Sequence, residues 1–197
     1  MYKKFSVLLF SVVINTLVYA QCEPSWIELK PSYFFFTQSP MKDVYDKGGF
    51  QIQACASSPI CYSLDLYGSI GFRKAWGHAL NSCEETSLTV IPVDIGLKPV
   101  FSFCECYNYY FAFGPRYFYV HQHNCSPYVD SIINKSGIGF FVNTGFNVLY
   151  RDCFLIGLFA EYSYEKKKVC PQRPRVYSNG SVQIGGVAVG ISVGYEY

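Results

Sequence analysis

The segment VQIGGVAVGISVGYEY (182–197) alternates with a period of two, and the contrast between its two faces constrains the fold more than any other feature. Val187, Val189, Ile191, Val193, Tyr195 and Tyr197 share one face, while Gly186, Ala188, Gly190, Ser192, Gly194 and Glu196 share the other. Two further segments repeat the pattern. Ile138, Phe140, Val142, Phe146 and Val148 oppose Gly139, Asn143, Gly145 and Asn147; Phe154, Ile156, Leu158, Ala160, Tyr162 and Tyr164 oppose Gly157, Glu161 and Ser163. Successive side chains of a strand point to opposite faces of its sheet. A water-soluble sandwich packs the bulky face inward and shows polar groups to water. Here that would leave the outside lined with glycine, which weakens an exposed strand without helping it pack. The inverse arrangement fits better, with large side chains facing hydrocarbon and small or polar ones filling a narrow lumen.

Period-two segments bounded by turn residues recur along the chain, and the pattern predicts strands at 26–36, 49–56, 62–74, 87–98, 106–120, 137–149, 153–165 and 182–197. No window carries a persuasive 3.6-residue period. The connections at 37–48, 75–86, 121–136 and 166–181 are long, and those at 57–61, 99–105 and 150–152 are short. Long and short alternate, as they do where brief periplasmic turns face extended external loops. The expected fold is all-β: a single eight-stranded antiparallel up-and-down transmembrane β-barrel over 21–197.

Residues 1–20 stand apart. Lys3 and Lys4 precede an apolar run from Phe5 to Val18, and Val18-Tyr19-Ala20 gives the small-x-small pattern of a cleavage site, so this stretch reads as a signal peptide. Gln21 before Cys22 lacks the small residue of a lipobox. Removing Lys3 and Lys4 from the sixteen basic residues leaves fourteen against fourteen acidic ones. A neutral chain without a basic stripe argues against nucleic-acid binding. Aromatics make up 19% and charged residues 15%, well under the roughly 25% charged usage of soluble domains.

Parity places the strand charges Glu28, Lys30, Asp65, Arg73, Asp94, Lys98, Arg116, Glu161 and Glu196 on the small-residue face, where they are expected to form an ion-paired lumen network. Eight strands leave room for side chains but not for a broad channel, so the expectation is a paired plug, with a narrow ion conduit as the alternative. Tyr and Trp near strand ends (Trp26, Tyr62, Trp76, Tyr107, Tyr109, Tyr117, Tyr119, Tyr150, Tyr164, Tyr195 and Tyr197) would form interfacial girdles.

The aromatic terminal strand, with Tyr195 and Tyr197, resembles the C-terminal signature of outer-membrane barrels, which implies recognition by the barrel-assembly machinery. Over 26–197 the chain is similar to the small OmpA/OmpX-type barrels in strand number and loop alternation. More narrowly, GPRYFYVHQHN (114–124), GFFVNTGFN (139–147) and KPSYFFF near the start resemble an uncharacterised outer-membrane protein family of Chlamydiae and their environmental relatives. The resemblance implies location and fold; it carries no activity, cofactor or metal.

Cysteines and histidines are the remaining candidates for chemistry. Export permits disulfides. Cys83, Cys125 and Cys170 fall in external loops, while Cys55 and Cys61 flank the first short turn and Cys104, Cys106 and Cys153 sit near the others. Three external cysteines leave one without an intrachain partner there, which points to cross-links with other envelope proteins or a free thiol. Cys104-Glu105-Cys106 lacks zinc-site spacing. His121 and His123 would enter a long loop near Asp130 and Ser131, with His78 in another loop. A lipid-modifying surface enzyme would need a base oriented by a carboxylate beside a nucleophile. Lys166, Lys167 and Lys168 with Arg173 and Arg175 make the last loop basic, suited to lipopolysaccharide or glycans. The sequons at Asn134 and Asn179 are common chance matches. The expected role is non-enzymatic: structural or adhesin-like at the surface of the bacterial outer membrane, with lipid and lipopolysaccharide around it. The surface enzyme, the ion conduit and a soluble binding module stay open as alternatives.

Overall fold

The computed structural model describes residues 25–45, 47–61, 63–78, 85–104, 106–124, 132–150, 153–168 and 181–196. The expected signal peptide, Tyr62, Cys83, Cys125, Asp130, Ser131, Cys170, Arg173, Arg175 and Tyr197 lie outside them. Strands run β1 (Trp26–Phe36), β2 (Gly49–Cys61), β3 (Leu64–His78), β4 (Glu85–Cys104), β5 (Tyr107–Asn124), β6 (Ile132–Tyr150), β7 (Phe154–Tyr164), β8 (Lys166–Lys168), β9 (Ser181–Gln183) and β10 (Gly186–Glu196). A short helix, α1 (Ser39–Val44), lies between β1 and β2. β1 to β7 pair in sequence order, and β10 bridges β7 and β1 to close an eight-stranded antiparallel barrel. β8 and β9 form a separate hairpin in the last long connection.

Closure abolishes the edges of the barrel sheet, so every barrel strand is fixed between two neighbours and its faces become an inside and an outside. Outward positions carry the bulk: Ile27, Leu29, Leu66, Ile70, Ile95, Phe111, Ile156, Leu158, Val189, Ile191 and Val193 form a continuous exposed apolar belt. Soluble monomers rarely expose apolar patches beyond a few hundred Å²; this one encircles the molecule. Tyr107, Tyr109, Tyr150 and Tyr195 ring the belt at the short-turn end, and Tyr33, Trp76, Tyr117, Tyr119 and Tyr162 ring it at the long-loop end. Along β5 the two rings are Tyr109 and Tyr117, about 20 Å apart for a tilted strand, near the height of an outer-membrane hydrocarbon band.

Several details depart from the sequence-based expectation. Segment 182–197 is split between β9 and β10, the short connections expected at 57–61 and 99–105 are strand as far as Cys61 and Cys104, and Trp26 shares the inner-face parity of Glu28 and Lys30. β3 to β6 reach further toward the long-loop end than the pattern predicts, so His78, His121 and His123 stand on strands rather than in loops. Their alternation with Val120 and Gln122 continues the strand, although the residues are polar. Segment 37–48 contains α1, whose six residues are too few to show a helical period; Pro40 occupies its first turn, where the missing amide is not needed. Lys74, inside the predicted third strand, points outward, with its Nζ 5.2 Å from the centre of the Trp76 ring. Strand cations are therefore not all confined to the inner face.

Candidate functional site

The inner face is filled in layers. At the long-loop end Phe34, Phe36, Ala75, Leu88, Val90, Phe118, Val120, Ile184 and Ala188 form a buried apolar layer, and α1 lies on it through Met41, Val44 and the following Tyr45. Gly77 permits this approach, since a Cβ there would run into the Val44 carbonyl and the Tyr45 ring. Gly48, at φ +69°, turns the chain back into β2 in a backbone region that favours glycine. The Tyr45 hydroxyl lies 3.3 Å from Thr86 Oγ1, and burial raises its phenol pKa despite that hydrogen bond.

Beneath this layer sits an ionic cluster. Arg116 donates to Asp94 through Nε at 2.6 Å and Nη2 at 2.7 Å, a bidentate pair. Its Nη2 also lies 2.8 Å from Glu161, and its Nη1 lies 3.4 Å from Glu165. Arg73 stacks on Phe34, with Cζ 3.6 Å from the ring centre, donates through Nε to Gln51 at 2.8 Å and approaches Glu165 at 3.5 Å. Ser69 donates to Asp94 at 2.6 Å and Gln53 to Glu161 at 3.0 Å.

A second cluster lies nearer the short-turn end. Glu28 takes Lys98 on one oxygen and Lys30 on the other, the latter at 3.1 Å. The Lys30 ammonium sits among the rings of Tyr110, Tyr67 and Phe159 at 4.7, 5.4 and 5.6 Å, a cation–π cage. The clusters are joined: Lys30 donates to the Tyr110 hydroxyl at 3.0 Å, which donates to Asn143 at 3.0 Å, whose amide lies 3.4 Å from Glu161.

Four buried cations, Lys30, Arg73, Lys98 and Arg116, thus meet four buried acids, Glu28, Asp94, Glu161 and Glu165. Pairing of this kind is what a low-dielectric interior demands, because an uncompensated buried charge is strongly destabilising. Of the residues expected in the lumen, Asp65 is buried opposite Lys98 in the ladder, and Glu196 is half-buried at the end of β10. Glu165 was not anticipated, though it shares the parity of Glu161 and Ser163. Asn143 lies inside, as its place on the small-residue face predicts, whereas Gln51, Gln53, Tyr67 and Tyr110 are further inner residues that the charge pattern does not pick out; parity alone assigns Gln51 and Gln53.

Apart from Cys55, the other candidates stand outside this interior. Cys55 is buried under the Tyr67 hydroxyl, which approaches its Sγ at 3.2 Å, while Cys61 is exposed at the end of β2; both are free thiols, as are Cys106 and Cys153. His121 and His123 face outward on β5. A 2.6 Å hydrogen bond holds His121 Nδ1 to the Asn134 amide oxygen, so a carboxamide and not a carboxylate orients this ring.

No protein-family profile and no curated protein matches the chain, so the narrower chlamydial resemblance finds no support there. Solved structures do match. Neisserial surface protein A superposes with a TM-score of 0.57 at 12% identity, covering 88% of this chain and 97% of that one. OprG from Pseudomonas aeruginosa gives 0.59 at 10%, covering 88% and 93%. Ail, the attachment invasion locus protein of Yersinia pestis, solved with the heparin analogue sucrose octasulfate, gives 0.51 at 14%, covering 88% and 98%. At these identities the likeness is one of fold: the chain has the architecture of the small outer-membrane β-barrels.

Proposed function

We propose that the chain is an integral protein of the bacterial outer membrane, exported by its first twenty residues, whose role is structural or surface-interactive and not enzymatic. The observation that carries this reading is the closed interior. Side chains fill it, its ion clusters are mutually paired, and an apolar layer under α1 caps it at the long-loop end. Such an interior favours a strut over a conduit, and it leaves the long-loop end as the face that meets partners. The basic stretch Lys166–Lys168 in the last connection fits anionic surface glycans or lipopolysaccharide. Ail offers a parallel, as an attachment protein solved with a sulfated heparin analogue. The exposed thiols Cys61 and Cys106 at the short-turn end are available for cross-links to other envelope proteins, and the last strand with Tyr195 is the segment offered to the assembly machinery.

The test is refolding of residues 21–197 into detergent and lipid vesicles. We expect heat-modifiable gel mobility, silent planar-bilayer recordings and retention on a sulfated-glycan resin. Stable monomeric solubility in buffer would overturn the membrane reading, steady conductance the closed-strut reading, and absence of retention the glycan partner.

A further inference from the structure

The outer surface carries a row of polar side chains that neither the lumen nor the loops account for. In the strand register Lys74 on β3 stands opposite Thr89 on β4, Thr89 opposite His121 on β5, and His121 opposite Asn134 on β6. All four point outward. Neighbouring strands are about 4.8 Å apart, so the row is about 15 Å long. On the membrane side it is bordered by Phe72, Ile91 and Tyr119 of the belt and girdle, and on the loop side by Trp76, over whose ring the Lys74 ammonium is held.

The row is rich in donors. Lys74 brings an ammonium and Thr89 a hydroxyl. Because Asn134 Oδ1 is taken up by His121 Nδ1, the groups that remain are the Asn134 amide N–H pair and His121 Nε2. The row contains no acid. The nearest in register, Glu85, stands opposite His78, four residues further along each strand. Placing an ammonium on the outward face is expensive in hydrocarbon, unlike placing Lys30, Arg73, Lys98 or Arg116 in the paired interior. At the level of Trp76 that expense vanishes if the group meeting it is an anionic headgroup.

We infer that Lys74, Thr89, His121 and Asn134 form a binding site on the barrel wall for the phosphate of an anionic lipid in the outer leaflet. The inference rests on the outer-membrane reading above. The phosphate sits against the Lys74 ammonium and the donors beyond it, while the acyl chains lie on Phe72, Ile91 and Tyr119. A free soluble ligand would not gain from that apolar border; a lipid does.

The chain has two tryptophans, Trp26 and Trp76, so a Trp26→Phe protein reports from Trp76 alone. Refolded into vesicles, it is quenched by dibrominated phosphatidylglycerol or by dibrominated phosphatidylcholine, and the ratio gives the relative affinity beside Trp76. We expect about a five-fold preference for the anionic lipid, the scale of one lysine near a charged membrane surface. Lys74→Gln should bring the ratio close to one, and His121→Gln should reduce it, with heat-modifiable mobility unchanged in both. Equal quenching by the two lipids in the parent, or a preference that survives both substitutions, overturns the site. Absence of quenching by either lipid overturns the membrane reading itself.

Discussion

Tyr110 on β5 lies against Gly145, its register partner on β6, so closely that a methyl group at Gly145 would fall 2.6 Å from the phenol. The glycine is therefore the seat of the side chain that links the two ion clusters, since the Tyr110 hydroxyl bonds both Lys30 and Asn143. Gly145→Val should push the ring off its seat and destabilise the barrel by about 1–3 kcal/mol, the usual range for overpacking. Urea unfolding in detergent micelles, followed by tryptophan fluorescence, measures this; a midpoint equal to the parent's would show that the ring has room to move.

The ionic cluster should respond unequally to loss of its members. Arg116 contacts Asp94, Glu161 and Glu165, so Arg116→Met takes the ion-pair partner from buried Asp94 and Glu161, leaves Glu165 with Arg73 alone, and is expected to cost about 3–5 kcal/mol. Glu165→Gln leaves Arg116 with two acids; it takes from Arg73 the one acid at ion-pair distance among the described residues but keeps its bond to Gln51 and a polar group at 165, and should cost less than Arg116→Met. The same unfolding series decides it, and equal losses would mean that Glu165 matters to the cluster as much as Arg116 does.

At the long-loop end, Gly77→Val would collide with the Val44 carbonyl and the Tyr45 ring. The substitution should lift α1 from the apolar layer while the barrel below stays paired. Limited proteolysis of vesicle-embedded protein should then cut within 37–48 much faster than in the parent, with heat-modifiable mobility retained. An unchanged cleavage rate would show that α1 docks without needing this close approach.

The thiols provide a map of inside and outside. With single-cysteine variants in vesicles, a bulky hydrophilic maleimide should label Cys61 and Cys106 from the short-turn side in the native state, and Cys55 only after unfolding. Labelling of Cys55 at the rate of Cys61 would mean that the interior beneath Tyr67 is open to water.

Alternation alone made the barrel legible, because a period of two fixes which side chains share a face whatever the partner strand does. That is why Glu28, Lys30, Arg73, Asp94, Lys98, Arg116 and Glu161 were assignable to the interior from the chain itself, and why Glu165, one more step along the same parity, should have been. What alternation does not contain is register. The inner face reads as small and glycine-rich, yet Phe34, Tyr67, Tyr110, Phe118, Phe141 and Phe159 also lie there, buried. They fit because glycines on adjacent strands make room: Gly145 for Tyr110 and Gly137 for Phe118. Those pairings join residues far apart in sequence, and the offsets between strands that create them are set by closure of the barrel. Strand ends were lost for a different reason. His121, Asn134 and their neighbours are polar because they rise past the apolar belt, so hydropathy ends before hydrogen bonding does.

Leu158 separates the membrane reading from its soluble rival most directly. It stands outward at the middle of β7, 68% exposed, between Phe154, the register partner of the girdle residue Tyr195, and the girdle residue Tyr162. In water, a substitution at so exposed a position touches nothing buried and should change stability by less than about 0.5 kcal/mol. In a bilayer the same position faces hydrocarbon, and Leu158→Arg should cost about 2–4 kcal/mol. Tyr195→Arg at the short-turn girdle, where the headgroups begin, should cost no more than about 1 kcal/mol. Measured by urea titration of protein refolded in phosphatidylcholine vesicles, a steep loss at Leu158 with a shallow one at Tyr195 gives the depth profile of a membrane wall. Equal and small losses at both positions would mean that water, and not lipid, covers the belt.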